Sequence, residues 1–559
     1  MTNYQFTGGT ICAPATIPGT GAISIIRVSG KEALAIADKV IDTKGVPIAE
    51  TEGYRLRYGT VFEADGNVLD NVVVSVFRAP HSYTGENSVE ISCHASRFIV
   101  NKILELLVNA GARIAAPGEF TRRAFVNGKM DLAQAEAVAD VIASQSAASH
   151  RVAMNQLKGG FSSELKTLRE KLLTMTSLLE LELDFSEEDV EFASRKELGQ
   201  LVDDSLTHIR RLTASFSRGN AIKNGVPVAI VGATNTGKST LLNALLGEER
   251  AIVSDIAGTT RDTIEETLNI DGILFRFIDT AGIRETDETI EKIGIDRTFK
   301  KLGEAAVVLG MTDLSRGEAA VLEDADFILS KVNEMGGVKN VDTENDGPET
   351  GGVKNVGTEN DGSETGGVSP AETDGTSLAE TGVASQHGHG AGQERKVVIL
   401  VNKCDVADDF YRDDNGTGDG SGNDLGENMA EIGGNKNVNH DNNIVSLIEN
   451  KYDNCKIIPI SAKTGKGLST LTKTLGEIGS EITGSTDETL VTNVRHYEAL
   501  VRASTALGRV RDGLKVATLP PDLIAQDLRE ALYHLGEIVG EITTDETLGN
   551  IFRKFCIGK

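Results

Sequence analysis

Apolar positions follow three different patterns along this chain. Over the first 120 or so residues, strand-like runs such as NVVVSVF are broken by turn signals, which predicts a compact α+β module. From about 130 to 220 apolar residues recur at helical spacing, as in SSELKTLREKLLTMTSLLELELDF, and the same pattern returns from about 489 to 555. Between these helical stretches stand VPVAIV (226–231), ILFRFI (273–278), AAVVLG (305–310), VVILV (397–401) and KIIPI (456–460). Short runs rich in Val and Ile, separated by amphipathic segments, predict a mainly parallel sheet with helices on both faces. The expected fold class is multidomain α/β, with the parallel-sheet domain inserted in an all-helical domain. The predicted divisions are 1–125, 126–221, 222–484 and 485–559.

Two stretches fit none of these patterns. Residues 334–394 hold a 15-residue repeat, GGVKNVDTENDGPET from Gly336 and GGVKNVGTENDGSET from Gly351, then a degenerate copy; residues 408–443 include DDNGTGDGSGNDLGENMAEIGGNKN. Such sequence lacks the apolar surface that offsets the entropy of ordering, so both are expected to be disordered insertions. They change the reading of the net charge of −27, because the first carries 12 acidic and 2 basic residues and the second 9 and 2. The rest of the chain is only mildly acidic, which leaves room for RNA on a local basic face without global steering toward phosphate. Five scattered cysteines with no CxxC pair suit a reducing compartment and suggest no zinc site. Cys93 and His94 are neighbours on a strand and point to opposite faces, so they are read as structural. No apolar run approaches the roughly 20 residues of a bilayer crossing, and the start shows no targeting pattern, so the expected location is cytoplasmic, with no membrane partner.

The chemistry concentrates in the middle of the chain. Strand VPVAIV runs into Gly232-Ala-Thr-Asn-Thr-Gly237-Lys238-Ser239 and then the helical TLLNALLG, a P-loop between strand and helix. In the stretch Asn235, Thr236, Gly237, Lys238, Ser239 and Thr240, glycine lets backbone N–H groups face phosphates, Lys238 reaches the β and γ oxygens, and Ser239 ligates Mg²⁺. Asp279, Thr280, Ala281 and Gly282 follow the strand ILFRFI, where a carboxylate holds a Mg²⁺-bound water and the Gly282 N–H meets the γ-phosphate. Asn402, Lys403, Cys404 and Asp405 end VVILV; Asp405 accepts the N1–H and N2–H₂ edge of guanine, which adenine lacks, so the nucleotide is GTP. Ser461, Ala462 and Lys463 after KIIPI supply a backbone contact to guanine O6. Gly258-Thr259-Thr260-Arg261-Asp262 fits a switch I loop with Thr260 closing over Mg²⁺. Ile283 stands where a water-orienting Gln usually follows Asp-x-x-Gly, so another device must compensate charge. Asn235, with the loop Ser254–Thr259 folded over it, fits a K⁺ ion held by side-chain oxygen and backbone carbonyls, and the plainer alternative is that Asn235 only stabilises the loop.

Several segments together resemble the MnmE (TrmE) tRNA modification GTPases: TICAPATIPGTGAISIIRVSG, APHSYTGENSVEISCH, APGEFTRRAFVNGKMDLAQAEAVADVI, AIVSDIAGTTRDTIEE, DTAGIRETDETIEKIGIDR and the terminal FRKFCIGK. The likeness covers nearly the whole chain apart from the acidic insertions. It implies K⁺ ligands at Asn235, Ser254, Ile256 and Thr259, a water-orienting Glu291, and Arg284 steadying switch II. It also implies that residues 1–125 bind a tetrahydrofolate carrier, in 5,10-methylene or 5-formyl form, through Arg27, Glu90 and Lys129, with Lys559 reaching in. A homodimer through that module, a hetero-oligomer with an FAD-containing partner, tRNA as substrate and modification of C5 of the wobble uridine (position 34) belong to the same implication. The sequence departs from the family pattern at Thr234 and Thr236 in the P-loop and at His94-Ala-Ser. A potassium-activated GTPase of ribosome assembly shares every G motif but should carry a basic RNA-binding module, which is not visible. A GTP-loaded scaffold with little turnover is separated only by measuring turnover.

Overall fold

The computed structural model describes residues 8–63, 65–184, 194–249, 266–278, 305–334, 395–405, 451, 455–484, 488–515, 520–553, 555 and 558. The N-terminal part runs β1 (Ile11–Pro14), β2 (Ile23–Ser29), α1 (Ala33–Val40), β3 (Ile41–Asp42), β4 (Arg55–Phe62), β5 (Val68–Phe77), β6 (Ser88–His94), α2 (Arg97–Asn109), β7 (Arg113–Ile114) and α3 (Glu119–Val126). Its strands form one sheet in the order β3-β4-β5-β6-β2-β1-β7, antiparallel except at β1 and β7. The period-2 pattern explains its two faces. On β5, Val72, Val74 and Val76 are buried against residues of α1 and α2 such as Ile36, Ile103 and Leu107, while Val73 on the other face is exposed.

Helices follow: α4 (Leu132–Ala143), α5 (Ala147–Leu157), α6 (Gly160–Asp184), α7 (Arg195–Ala214) and α8 (Phe216–Asn224). Capping boxes Asp131/Gln134 and Ser146/Ser149 satisfy the first backbone donors of α4 and α5, which fixes where each begins. The second sheet belongs to β8 (Val226–Gly232), α9 (Lys238–Glu249), β9 (Glu266–Ile270), β10 (Ile273–Ile278), β11 (Val307–Asp313), α10 (Glu318–Glu334), β12 (Lys396–Asn402), β13 (Lys456–Pro459) and α11 (Leu468–Thr483). Its order is β13-β12-β11-β8-β10-β9, parallel throughout except for the β9–β10 hairpin. Apolar clusters cover both faces, one reaching Leu241 of α9 and Leu471 of α11, the other Val321 and Ile328 of α10. The chain closes with α12 (Val494–Leu514), α13 (Pro521–Val539) and α14 (Asp545–Phe552).

The insertion predicted from the helical spacing is present: Leu172, Leu179, Leu206 and Ile209 from before the parallel sheet share one core with Leu500, Leu507, Leu528 and Leu535 from after it. Helix α8 runs through the predicted division at 221, because Ala221 packs into the sheet domain while Ile222 packs with Val152 and Leu490. Strand 273–278 matches the expectation residue for residue; β11 starts two residues later than the run AAVVLG and continues to Asp313. The antiparallel β9 was not among the expected strands, since ETLNI carries only Leu268 and Ile270 as an apolar signal. The repeat residues 335–394 and the whole second acidic stretch, 408–443, lie outside the described residues.

Candidate functional site

The P-loop sits where the sequence places it, between the end of β8 and the start of α9. Its closeness to the neighbouring strand demands glycine: a Cβ on Gly232 would lie 2.4 Å from the Met311 carbonyl oxygen, and one on Gly237 2.4 Å from Asn402 Nδ2. Asn235 at the exposed tip has a left-handed φ of 64°, a conformation that Asn adopts more readily than most side chains. Thr236 is turned inward, its hydroxyl donating to the Ala233 carbonyl at 2.9 Å. Lys238 lies across the loop, its Nζ donating to the carbonyls of Gly232 at 2.9 Å and Ala233 at 2.7 Å. Burial holds the Lys238 ammonium below its ordinary pKa, because desolvation disfavours its charge.

Asn402 joins three sequence motifs into one site. Its Nδ2 donates to the Thr236 carbonyl at 2.7 Å, and its Oδ1 accepts from the Ala462 N–H at 3.0 Å. With Asn402 buried to 3% exposure, both bonds form out of water and hold the P-loop, the NKCD loop and the SAK loop in register. The two base-side loops are also joined by the Cys404 N–H, which donates to the Ile460 carbonyl at 3.2 Å. Ser461 is fully buried and its hydroxyl accepts from the Thr464 N–H, which leaves Asp405 and Lys463 at the rim.

In the N-terminal sheet, β2 and β6 pair Arg27 directly opposite Glu90 on the face away from α1 and α2. The Arg27 Nε donates to Glu90 Oε1 at 2.9 Å, and its guanidinium lies 5.1 Å from the Tyr83 ring centroid and 5.6 Å from that of Phe120. Lys129 is exposed and reaches the 80–87 loop, its Nζ donating to the Pro80 carbonyl at 3.1 Å. Arg27 and Lys129 thus border the same loop without touching. Below it, Arg123, almost fully buried, bonds both carboxylate oxygens of Glu86 and Oε1 of Glu119. Gly558 rests against the Pro14 carbonyl at the end of β1, so the chain terminus reaches the strand beside β2.

Known sequences show the same arrangement of parts. The family model described as "MnmE helical domain" matches residues 132–556, and that described as "GTP-binding protein TrmE N-terminus" matches residues 10–129. Proteins named "tRNA modification GTPase MnmE" from Bacteroides thetaiotaomicron and Parabacteroides distasonis are each 44% identical over 98% of this chain, covering 99% and 100% of their own lengths. One of the same name from Porphyromonas gingivalis is 42% identical over the whole chain and 99% of its own length. The chain belongs to the MnmE family.

Set against that family, the predicted site divides into residues brought together and residues outside the described part. Asn235, Thr236, Gly237, Lys238, Ser239, Thr240, Asn402, Lys403, Asp405, Ser461, Ala462 and Lys463 gather at the carboxyl end of the parallel strands. Ser254, Ile256, Thr259, Thr260, Asp279, Thr280, Ala281, Gly282, Arg284, Glu291 and Lys559 lie outside the described residues. The structure adds Asp313 at the end of β11, whose Oδ2 accepts from Lys403 Nζ at 2.6 Å. A carboxylate closing a buried strand next to the P-loop strand was its only sequence signal. His94 points outward and bonds Asp70 Oδ1 through Nδ1 at 2.7 Å, while Cys93 is buried with its thiol pushed up to about 11 by desolvation. That is the structural arrangement expected for the pair. Among the described residues no group of His, Cys, Asp and Glu could hold a metal, and no helix is long and apolar enough to cross a membrane.

Proposed function

We propose that this chain is a potassium-activated GTPase that drives tRNA modification at C5 of the wobble uridine. It acts with an FAD-containing partner to install an aminomethyl or carboxymethylaminomethyl group, with a tetrahydrofolate one-carbon unit as donor. Membership of the MnmE family makes it a GTPase of tRNA modification. The observation that carries the nucleotide reading is Asn402, which ties the phosphate loop to the base loop through two buried bonds. Phosphate and guanine contacts must lie one nucleotide length apart, and a shared tether keeps that spacing fixed.

The residues present fit the ions the family implies. Lys238 occupies two P-loop carbonyls in the described conformation, and exchanging them for β and γ oxygens returns the ammonium to strong anionic partners. Ser239, in the first turn of α9, would ligate Mg²⁺ beside those oxygens, and its position at the helix start supports that role. The exposed, left-handed Asn235 supports a K⁺ site at the loop tip, to which Ser254, Ile256 and Thr259 would add ligands. Bound there, K⁺ supplies the positive charge that an arginine finger gives elsewhere. We assign Glu291 to orient the attacking water and Arg284 to steady switch II.

On the N-terminal module we assign folate to Arg27, Glu90, Lys129 and Lys559. Support comes from the Tyr83 and Phe120 rings flanking Arg27 and from Gly558 lying against Pro14. A flat pterin between aromatic faces, with a carboxylate on its guanidine-like edge, matches that chemistry. The exposed Leu56, Tyr58 and Val73 on the same sheet support a homodimer through this module, in a cytoplasmic protein. Mass spectrometry of tRNA from cells whose only copy carries Lys238→Ala tests the whole reading. Unmodified wobble uridine is expected, and modification at the wild-type level would refute it.

A further inference from the structure

Lys403 is an unusual residue to find with a positive φ, at 66° in the left-handed region that side chains with a Cβ rarely adopt. Something must hold it there, and the structure shows what does. Asp313 is the residue paired with Asn402 in the β11–β12 register, one position before Lys403. It is 5% exposed, and its Oδ2 accepts from Lys403 Nζ at 2.6 Å. Its Oδ1 is fixed in turn by the Ser315 N–H at 3.0 Å and the Ser315 hydroxyl at 2.6 Å. Burial works against the Asp313 charge, yet the bonds from Lys403 and Ser315 outweigh it and keep the carboxyl below its ordinary pKa. The carboxylate is therefore ionised at neutral pH and aimed by its own turn before any nucleotide arrives.

We propose that Asp313 is a positioning residue for guanine recognition: it anchors Lys403 across the base pocket and so fixes the backbone that presents Asp405. The inference rests on the GTPase reading above and adds a residue outside the G motifs. The anchor acts on the base side of the site and leaves the phosphate side alone. Lys238 and the P-loop carbonyls share no hydrogen bond with Asp313 among the described residues. Its loss should weaken every guanine nucleotide equally, whatever the number of phosphates. It should also raise KM with little effect on kcat, because binding of ground state and transition state is reduced alike.

Calorimetric titration of the full chain with GMP, GDP and GTP tests this in three variants: Asp313→Asn, Lys403→Met and the double variant. Losing one charge-assisted bond predicts about a tenfold or greater loss of affinity for all three nucleotides in each single variant. The double variant should lose no more than the worse single one, since both remove the same contact. Unchanged affinity in Asp313→Asn, a loss confined to GTP, or additive losses in the double variant would each overturn the inference. If Asp313→Asn fails to fold, Ser315→Ala removes the 2.6 Å hydroxyl bond that aims Asp313 and touches none of the nucleotide motifs; an equal loss across the three nucleotides supports the proposal and wild-type affinity overturns it. Failure of the wild-type chain to bind any guanine nucleotide would instead remove the underlying GTPase reading.

Discussion

Asn402, almost closed to water, bonds two of the loops around it through its single amide. The motif Asn-Lys-x-Asp after a buried strand put Asn402 in the nucleotide site, and the structure adds its two partners, the Thr236 carbonyl and the Ala462 N–H. Replacing it by Ala orphans both groups in a buried place, at about 1–3 kcal/mol each. Asn402→Ala should therefore lower GTP affinity at least tenfold and reduce thermal stability, read by titration and by calorimetric unfolding. Wild-type affinity in that variant would mean the tether is dispensable. Asp313 was not legible in the same way, because no spacing rule connects a strand-end carboxylate to a lysine 90 residues later. Their meeting depends on β11 and β12 being neighbours in the sheet, a fact of topology.

At the scale of elements, long helices were readable from apolar positions at helical spacing, as in α6, and parallel strands from unbroken apolar runs, as in β12. The short edge strand β9 was not, since two apolar residues make no period. Nor did the sequence show what locks α4 to the C-terminal helices. There Glu136 accepts from Arg495 through both oxygens and lies 2.7 Å from His496 Nε2, while Arg495 also donates to the Glu537 and Ile538 carbonyls of α13. Burial opposes charge on Glu136, but His496 and Arg495 outweigh it and bring the carboxyl down to about 2. Burial, opposed by Glu136, also lowers His496 from its ordinary 6.5. Both groups bind more protons in the unfolded chain, so both lose stabilising power on acidification, His496 once pH falls below 6.5 and Glu136 below its usual carboxylate range. The melting temperature should fall between pH 7 and pH 5, and His496→Gln should flatten that slope, as differential scanning calorimetry will show. An identical pH profile in the variant would contradict the role given to this cluster.

For the whole molecule, the arrangement places a nucleotide site and an aromatic-flanked Arg–Glu pair on two sheets joined by one helical core. That core draws on chain from both sides of the nucleotide domain, so movement there is felt by α6 and α7 and by α12 and α13 together. The β9–β10 hairpin provides a contact, with the Asn269 side chain donating to the Gln145 carbonyl in the turn before α5. In the sequence that hairpin lies between the loop Gly258–Asp262, assigned above to switch I, and the stretch from Asp279 that includes Glu291, assigned to switch II. On the switch assignment proposed above, a change around the γ-phosphate has a short covalent route to the helical core. With Ile283 in place of the usual glutamine, turnover hinges on how charge is compensated at the γ-phosphate. The most direct measurement is GTP turnover by the purified chain in KCl against NaCl at equal ionic strength, repeated with Asn235→Ala. Turnover at least about tenfold faster in KCl is expected, with that advantage lost in the variant. Equal rates in the two salts for the wild-type chain would contradict potassium activation.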